Sequence, residues 1–219
     1  MKITFLGDSI TMGYGLTDPA HDRFSRIVCQ RLGAEEDNQG ITGTLIARAG
    51  LNSTDGKSYV DRIGLTDGAE LAVVFGGTND YFWSDQPILP PDDAADADER
   101  YFAVAVESLC CHICTHRAPE KTLLVTPYPH HGTGNRFGGS AWNDANDHDT
   151  DRRNFTGHRL ADYGAFLAAA GAVYGIPVLD LRNAGFDWRT MTLDGCHPNP
   201  AGHLWLADRV TDALKKLMD

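Results

Sequence analysis

Leu71-Ala72-Val73-Val74-Phe75, five consecutive apolar residues closed by Gly76-Gly77, restricts the fold more than any other segment. A strand with no polar residue on either face must be covered on both, the condition of a parallel sheet wrapped by helices. The rest of the chain keeps that rhythm. Further strands are predicted at residues 3–6, 43–49, 122–126 and 176–181, and helices at 23–32, 54–63, 99–116, 156–174 and 200–218. Ser53 or Thr54 opens the second helix, Gly175 closes the fourth, and Asn199 with Pro200 opens the last. Strand alternating with helix implies right-handed crossovers and helices on both faces of the sheet. The expectation is a single three-layer α/β/α domain over residues 1–219, doubly wound on a five-stranded parallel sheet. Its functional crevice should lie beyond the carboxyl ends of the strands.

Polar residues of chemical interest follow the strands, as that architecture requires. The first strand runs into Gly7-Asp8-Ser9, with Gly13 and Gly15 keeping the next stretch of backbone thin. Ser9 at a strand end presents a hydroxyl nucleophile to the crevice, although the tripeptide by itself is common. The third strand runs into Gly77-Thr78-Asn79-Asp80. The Asn79 amide can donate a hydrogen bond where negative charge develops on a carbonyl oxygen; read alone, it is equally an Asn-Asp turn. Before the last helix comes Asp194-Gly195-Cys196-His197. A carboxylate three residues before an imidazole can accept its ring N–H, fix the tautomer and favour the imidazolium. A hydroxyl, a neutral amide donor and a carboxylate-supported base at one edge of one sheet are far more specific together than apart.

With these blocks in this order the sequence resembles the SGNH (GDSL-like) hydrolase family over nearly its whole length. The resemblance implies a flavodoxin-like fold and no metal or organic cofactor. It makes Ser9 the nucleophile, His197 the base and Asp194 its orienter, with the Ser9 N–H and Asn79 as oxyanion donors. One block departs from the pattern. Arg48-Ala49-Gly50-Leu51-Asn52-Ser53 stands where the family carries a glycine donor, which aligns with Ser53; Gly50 is the alternative. The implied activity is serine ester hydrolysis through an acyl-enzyme, preferably of a short acyl ester such as an acetylated carbohydrate. Lysophospholipid or thioester hydrolysis, acyl transfer, and ligand binding without turnover use the same residues or the same fold. No G-x-S-x-G elbow of the α/β-hydrolase type is present.

Bulk properties narrow the partners. A formal charge of −11 disfavours nucleic acid and anionic membranes, leaving a small-molecule or carbohydrate ester. No apolar run reaches membrane-spanning length, and Gly7 arrives too early for a signal-peptide core, so a cytoplasmic location is expected. Segments 81–98 and 129–154 are long, polar and follow strands, so they should overhang the crevice. Their Tyr81, Phe82, His130 and Trp142 are candidate substrate contacts, with loop anchoring the competing reading. Asp8 is read as a turn-holding carboxylate and His203 as a helix packing or surface residue. Cys111 and Cys114 form a C-x-x-C beside His112 and His116 without a second ligand pair, and are read as core or half-buried thiols. The acidic run 144–151 lacks the glycine and glutamate of a calcium loop.

Overall fold

The computed structural model describes residues 1–48, 56–94, 96–130 and 153–218. In chain order it contains β1 (Lys2–Gly7), α1 (Ser9–Met12), α2 (Pro19–Asp22), α3 (Phe24–Leu32), β2 (Glu35–Gly40) and α4 (Tyr59–Arg62). A 3-10 turn (Ile63–Thr66), β3 (Leu71–Phe75), α5 (Thr78–Trp83), α6 (Phe102–His116) and β4 (Thr122–Val125) follow. The chain closes with α7 (Leu160–Tyr174), β5 (Val178–Leu179), α8 (Trp188–Met191) and α9 (Pro200–Met218). The five strands pair in parallel in the order β2-β1-β3-β4-β5. The doubly wound α/β/α architecture is thus the one expected.

The pleat explains why the central strands need no polar face. Successive side chains point to opposite sides. Ile3, Phe5, Val73, Phe75, Leu123 and Val125 pack with Phe24 and Val28 of α3 and Leu206 and Val210 of α9. Leu6, Val74 and Leu124 point the other way, into a second core with Phe102 and Leu109 of α6 and Tyr163 and Leu167 of α7. Asn199 opens α9 as expected: its side chain accepts from the Gly202 N–H at 3.0 Å. Gly175 ends α7 in the left-handed conformation, φ 67°.

The second strand is not the one expected. Residues 43–48 form no strand; Leu45, Ile46 and Ala47 are buried there as irregular chain. The strand is the polar Glu35–Gly40, paired only with β1 at the sheet edge. An edge strand needs no apolar alternation if its side chains find partners. Glu36 takes a two-pronged Arg23 guanidinium at 2.7 and 2.8 Å, and Asp37 meets Lys2 at 2.8 Å and Thr4 at 2.9 Å. Charged edges of this kind also resist pairing with other chains. The predicted helix at 54–63 shrinks to α4, capped by Ser58 and Asp61; Ser53 and Thr54, its expected caps, lie outside the described residues. Helical structure also extends into the first predicted loop, since α5 includes residues 81–83.

The chain leaves β1 toward β2 on one side and returns to place β3 on the other. That reversal makes the carboxyl ends of β1 and β3 the topological switch point. Gly7 of β1 lies between Gly40 of β2 and Phe75 of β3. Close packing of α1 over this edge depends on Gly40, where a Cβ would come within 2.3 Å of the Met12 backbone nitrogen. Backbone cannot rotate aside as a side chain can, so Gly40→Ala should cost about 1–3 kcal/mol. Urea unfolding should show a lowered midpoint with an unchanged slope; an unshifted midpoint would mean that α1 is free to move.

Candidate active site

At the end of β1 the backbone turns sharply into α1. Asp8 caps that helix by accepting from the Ile10 N–H at 2.9 Å. Ser9 is thereby fixed at the first helical position, with its Oγ 3.0 Å from His197 Nε2. The other imidazole nitrogen, Nδ1, lies 2.7 Å from Asp194 Oδ2. Asp194 Oδ1 accepts from the backbone N–H groups of His197 at 2.8 Å and Cys196 at 3.0 Å. Burial works to raise the Asp194 carboxyl, but these hydrogen bonds and the facing imidazole outweigh it and hold the group down at about 2. Asp194 is therefore ionised at neutral pH and orients the ring with its free nitrogen toward Ser9.

The loop bearing the histidine is closed on itself. Leu193 donates to the His197 carbonyl at 2.8 Å, Gly195 donates to Thr192 Oγ1 at 2.9 Å, and Thr192 bridges Pro198. Tyr128, just beyond β4, donates its hydroxyl to the Cys196 carbonyl at 2.7 Å. A residue following β4 thus ties the base to the sheet.

Asn79, near the start of α5, is almost fully buried. Its Nδ2 donates to the Thr44 carbonyl at 3.1 Å and to Asp8 Oδ2 at 3.2 Å. Asp8 is the turn-holding carboxylate expected, and it also contacts the amide that the sequence singled out. Burial raises its carboxyl from 3.8 to about 6, against the lowering effect of the Ile10 N–H and of His197.

Two residues given no role of their own in the sequence support this edge, Asp80 of the block after β3 and Arg62. Asp80 is completely buried and accepts from the Ile46 and Ala47 N–H groups, each at 2.9 Å, anchoring the irregular segment that carries Thr44. Burial, helped by the nearby Asp8 charge, raises Asp80 from 3.8 to about 7 despite those two donors. Among the described residues, Arg62 has no carboxylate in its hydrogen-bond set. Its guanidinium donates to the carbonyls of Lys57, Gln39 and Gly7 and to Thr44 Oγ1, at 2.6–3.3 Å. It therefore joins the ends of β1 and β2 to Thr44.

Of the candidate substrate contacts, Tyr81 is only 6% exposed and packs edge-on to Tyr163 in the core, which favours the anchoring reading of that residue. Phe82 is half-buried, with its ring 5.3 Å from that of His130, which is buried and packs against Tyr128. Ser53, Gly50, Trp142 and the acidic run 144–151 lie outside the described residues. His203 is a packing residue: its Nδ1 accepts from the Phe24 N–H at 3.2 Å, and burial lowers it to about 4. Cys111 and Cys114 are exposed rather than half-buried, because the α6 face that carries them turns to solvent. Among the described residues no three His, Cys, Asp or Glu side chains converge as a metal site would require. No described helix is long and apolar enough to cross a membrane.

The model of the GDSL-like lipase/acylhydrolase family matches residues 5–205. Among solved structures, a protein from Lactobacillus plantarum is similar at 27% identity and TM-score 0.75, over 98% of this chain and 96% of its own. A possible lipase from Chitinophaga pinensis aligns at 19% identity and TM-score 0.67, over 99% and 98% of the two chains. A Geobacillus acetyl-xylooligosaccharide esterase aligns at 18% identity and TM-score 0.60, over 97% and 93%. These last two speak for the fold alone. No curated protein matches the sequence.

The buried Asp80 makes a pH prediction whose sign is the reverse of the usual carboxylate. Its folded value near 7 exceeds the ordinary 3.8, so the folded chain keeps a proton that the unfolded chain has released. Asp80 therefore supports the fold most fully below about pH 4, and that support is lost as pH rises through about 7. Asp80→Asn keeps one acceptor, faces the second N–H with a donor, and should destabilise the protein by about 1–3 kcal/mol. That deficit should shrink between pH 5 and pH 8 in paired urea titrations; a deficit that grows with pH would reverse the assignment.

Proposed function

The chain belongs to the GDSL-like lipase/acylhydrolase family, a family of ester-hydrolysing enzymes, and we propose that it is a serine carboxylic ester hydrolase working through an acyl-enzyme. The observation that carries this reading is the unbroken chain of contacts from Ser9 Oγ to His197 Nε2 at 3.0 Å and from His197 Nδ1 to Asp194 at 2.7 Å.

Ser9 Oγ attacks the ester carbonyl as its proton passes to His197 Nε2, and the carbonyl π electrons move onto oxygen. The imidazolium is stabilised by the ionised Asp194, which itself gains no proton. Oxyanion donors in this reading are the Ser9 N–H, the Asn79 side chain and the Ser53 N–H, with Gly50 as the alternative to Ser53. In the resting site the Asn79 amide spans Thr44 and Asp8. An oxyanion would compete for the longer of those two bonds, the one to Asp8. Collapse of the tetrahedral intermediate breaks the bond to the alcohol oxygen, which takes the proton from His197. Water then repeats the sequence on the acyl-enzyme and restores the Ser9 hydroxyl.

A short acyl group on a carbohydrate is the preferred substrate. Its support is the polar and aromatic character of the segments following β3 and β4, together with the acidic charge, which disfavours phosphate-bearing alcohols. Lysophospholipid or thioester hydrolysis, acyl transfer to another alcohol, and binding without turnover are the alternatives a substrate panel separates. Esters of p-nitrophenol from acetyl to dodecanoyl, together with acetylated sugars, should be cleaved fastest at the short end.

Ser9→Ala should lower kcat by about 10,000-fold or more, and Asn79→Ala by about 100- to 1000-fold with little change in KM. Retained hydrolysis in Ser9→Ala would exclude the serine mechanism. Inactivity of the unmodified enzyme on every ester would favour the binding reading.

A further inference from the structure

Tyr14 received no role in the sequence, yet its ring stands against the base of the triad. It lies between Gly13 and Gly15, both at positive φ (84° and 83°), a backbone geometry that glycine adopts without strain. Its own N–H donates to the Ser9 carbonyl at 2.9 Å. The chain thus doubles back on the nucleophile and sets the phenol ring with its centroid 4.6 Å from that of His197, the planes inclined at 46°. Tyr14 is nevertheless 47% exposed. Leu193 approaches from the histidine loop, 52% exposed, its N–H held by the His197 carbonyl. Gly15 makes room for it, since a Cβ there would come within 2.6 Å of Leu193 Cδ1. An aromatic side chain therefore stands against the imidazole and an aliphatic one packs on the glycine that follows Tyr14 in the chain, both open to solvent.

We propose that Tyr14 and Leu193 form the subsite for the alcohol half of the ester, and that this alcohol is a pyranoside ring packed by its C–H face on the Tyr14 ring. The inference rests on the esterase reading above and deepens it. The departing oxygen must come within hydrogen-bond reach of His197 Nε2 to collect its proton. The remainder of the alcohol then occupies whatever surface borders that imidazole. Among the described residues that surface includes the flat phenol face of Tyr14, with Leu193 packed beside the adjoining Gly15, a surface suited to the apolar face of a sugar ring. Neither side chain brings a cation to pair with a phosphate or carboxylate, and the chain's charge of −11 opposes such anions. The competing role for Tyr14 is to stabilise the His197 imidazolium through its ring, and that role would be indifferent to the alcohol.

The test keeps the acyl group constant and varies the alcohol. Ethyl acetate and an acetylated methyl pyranoside are hydrolysed by the full chain and by the Tyr14→Ala, Tyr14→Phe and Leu193→Ser variants. Tyr14→Ala and Leu193→Ser should each reduce kcat/KM for the pyranoside about tenfold more than for ethyl acetate, chiefly through KM. Tyr14→Phe, which keeps the face, should restore the unmodified ratio. Equal losses on both esters would assign Tyr14 to the histidine and overturn the subsite. So would hydrolysis of ethyl acetate but not of the pyranoside by the unmodified enzyme. If the unmodified enzyme cleaves neither ester, the esterase reading itself fails before any variant is compared. Both side chains are about half exposed, and Leu193→Ser leaves Tyr14 in place, so the two variants test the patch independently of each other's folding.

Discussion

Parallel pairing of β1 with β3, in a register that sets Gly7 beside Phe75, places the residues following both strands along one edge of the sheet. Everything chemical in the molecule follows from that alignment. A slip of one residue would reverse which side chains face each core, and the apolar strands leave no polar face to tolerate it. Seen from this edge, the three polar blocks come from the ends of two strands and from one loop tied to a third. Rigid backbone carries Ser9 and Asn79, while His197 rides on a loop stiffened by its own hydrogen bonds and by Tyr128.

Behind the triad the protein accepts a local cost. Asp8 and Asp80 are both buried, and both are raised well above the ordinary carboxylate value by burial. Among the described residues, neither has an arginine or lysine as a hydrogen-bond partner. Asp80 instead spends its acceptors on two backbone N–H groups, and Asp8 divides its own between a helix cap and the Asn79 amide. Arg62 meanwhile serves carbonyls. The result is a set of charged groups used as ties between segments far apart in sequence, with Thr44 joined to both Asn79 and Arg62. Tolerance of buried charge at this edge is consistent with a site that needs fixed geometry more than stability.

The surroundings of the histidine are of two kinds. Asp194 supplies the charge that fixes the tautomer. Against the His197 ring stands the half-exposed Tyr14, with the exposed Leu193 packed on the neighbouring Gly15. Under the proposed reading, an ionised partner and an exposed aromatic ring beside one imidazole would serve the two tasks of a base that holds a proton and then delivers it to a departing alcohol.

The sequence by itself determined the layer architecture, because five uninterrupted apolar residues at β3 admit burial on both faces and little else. It also determined Ser9, Asp194 and His197 as candidates, since a hydroxyl after a strand and an Asp-x-x-His before a helix are local patterns with local meaning. Tertiary structure decided what local pattern could not express. The apolar run at 45–47 is buried without forming a strand because Asp80 takes two of its N–H groups, while the polar run at 35–40 forms the strand because arginine and lysine partners satisfy its edge. Arg62 and Tyr14 acquire their places from residues 55 and 183 positions away, Gly7 and His197 respectively. Periodicity reports which faces are apolar; it carries no information about which distant hydrogen-bond acceptor or ring a buried charge or an exposed aromatic will meet.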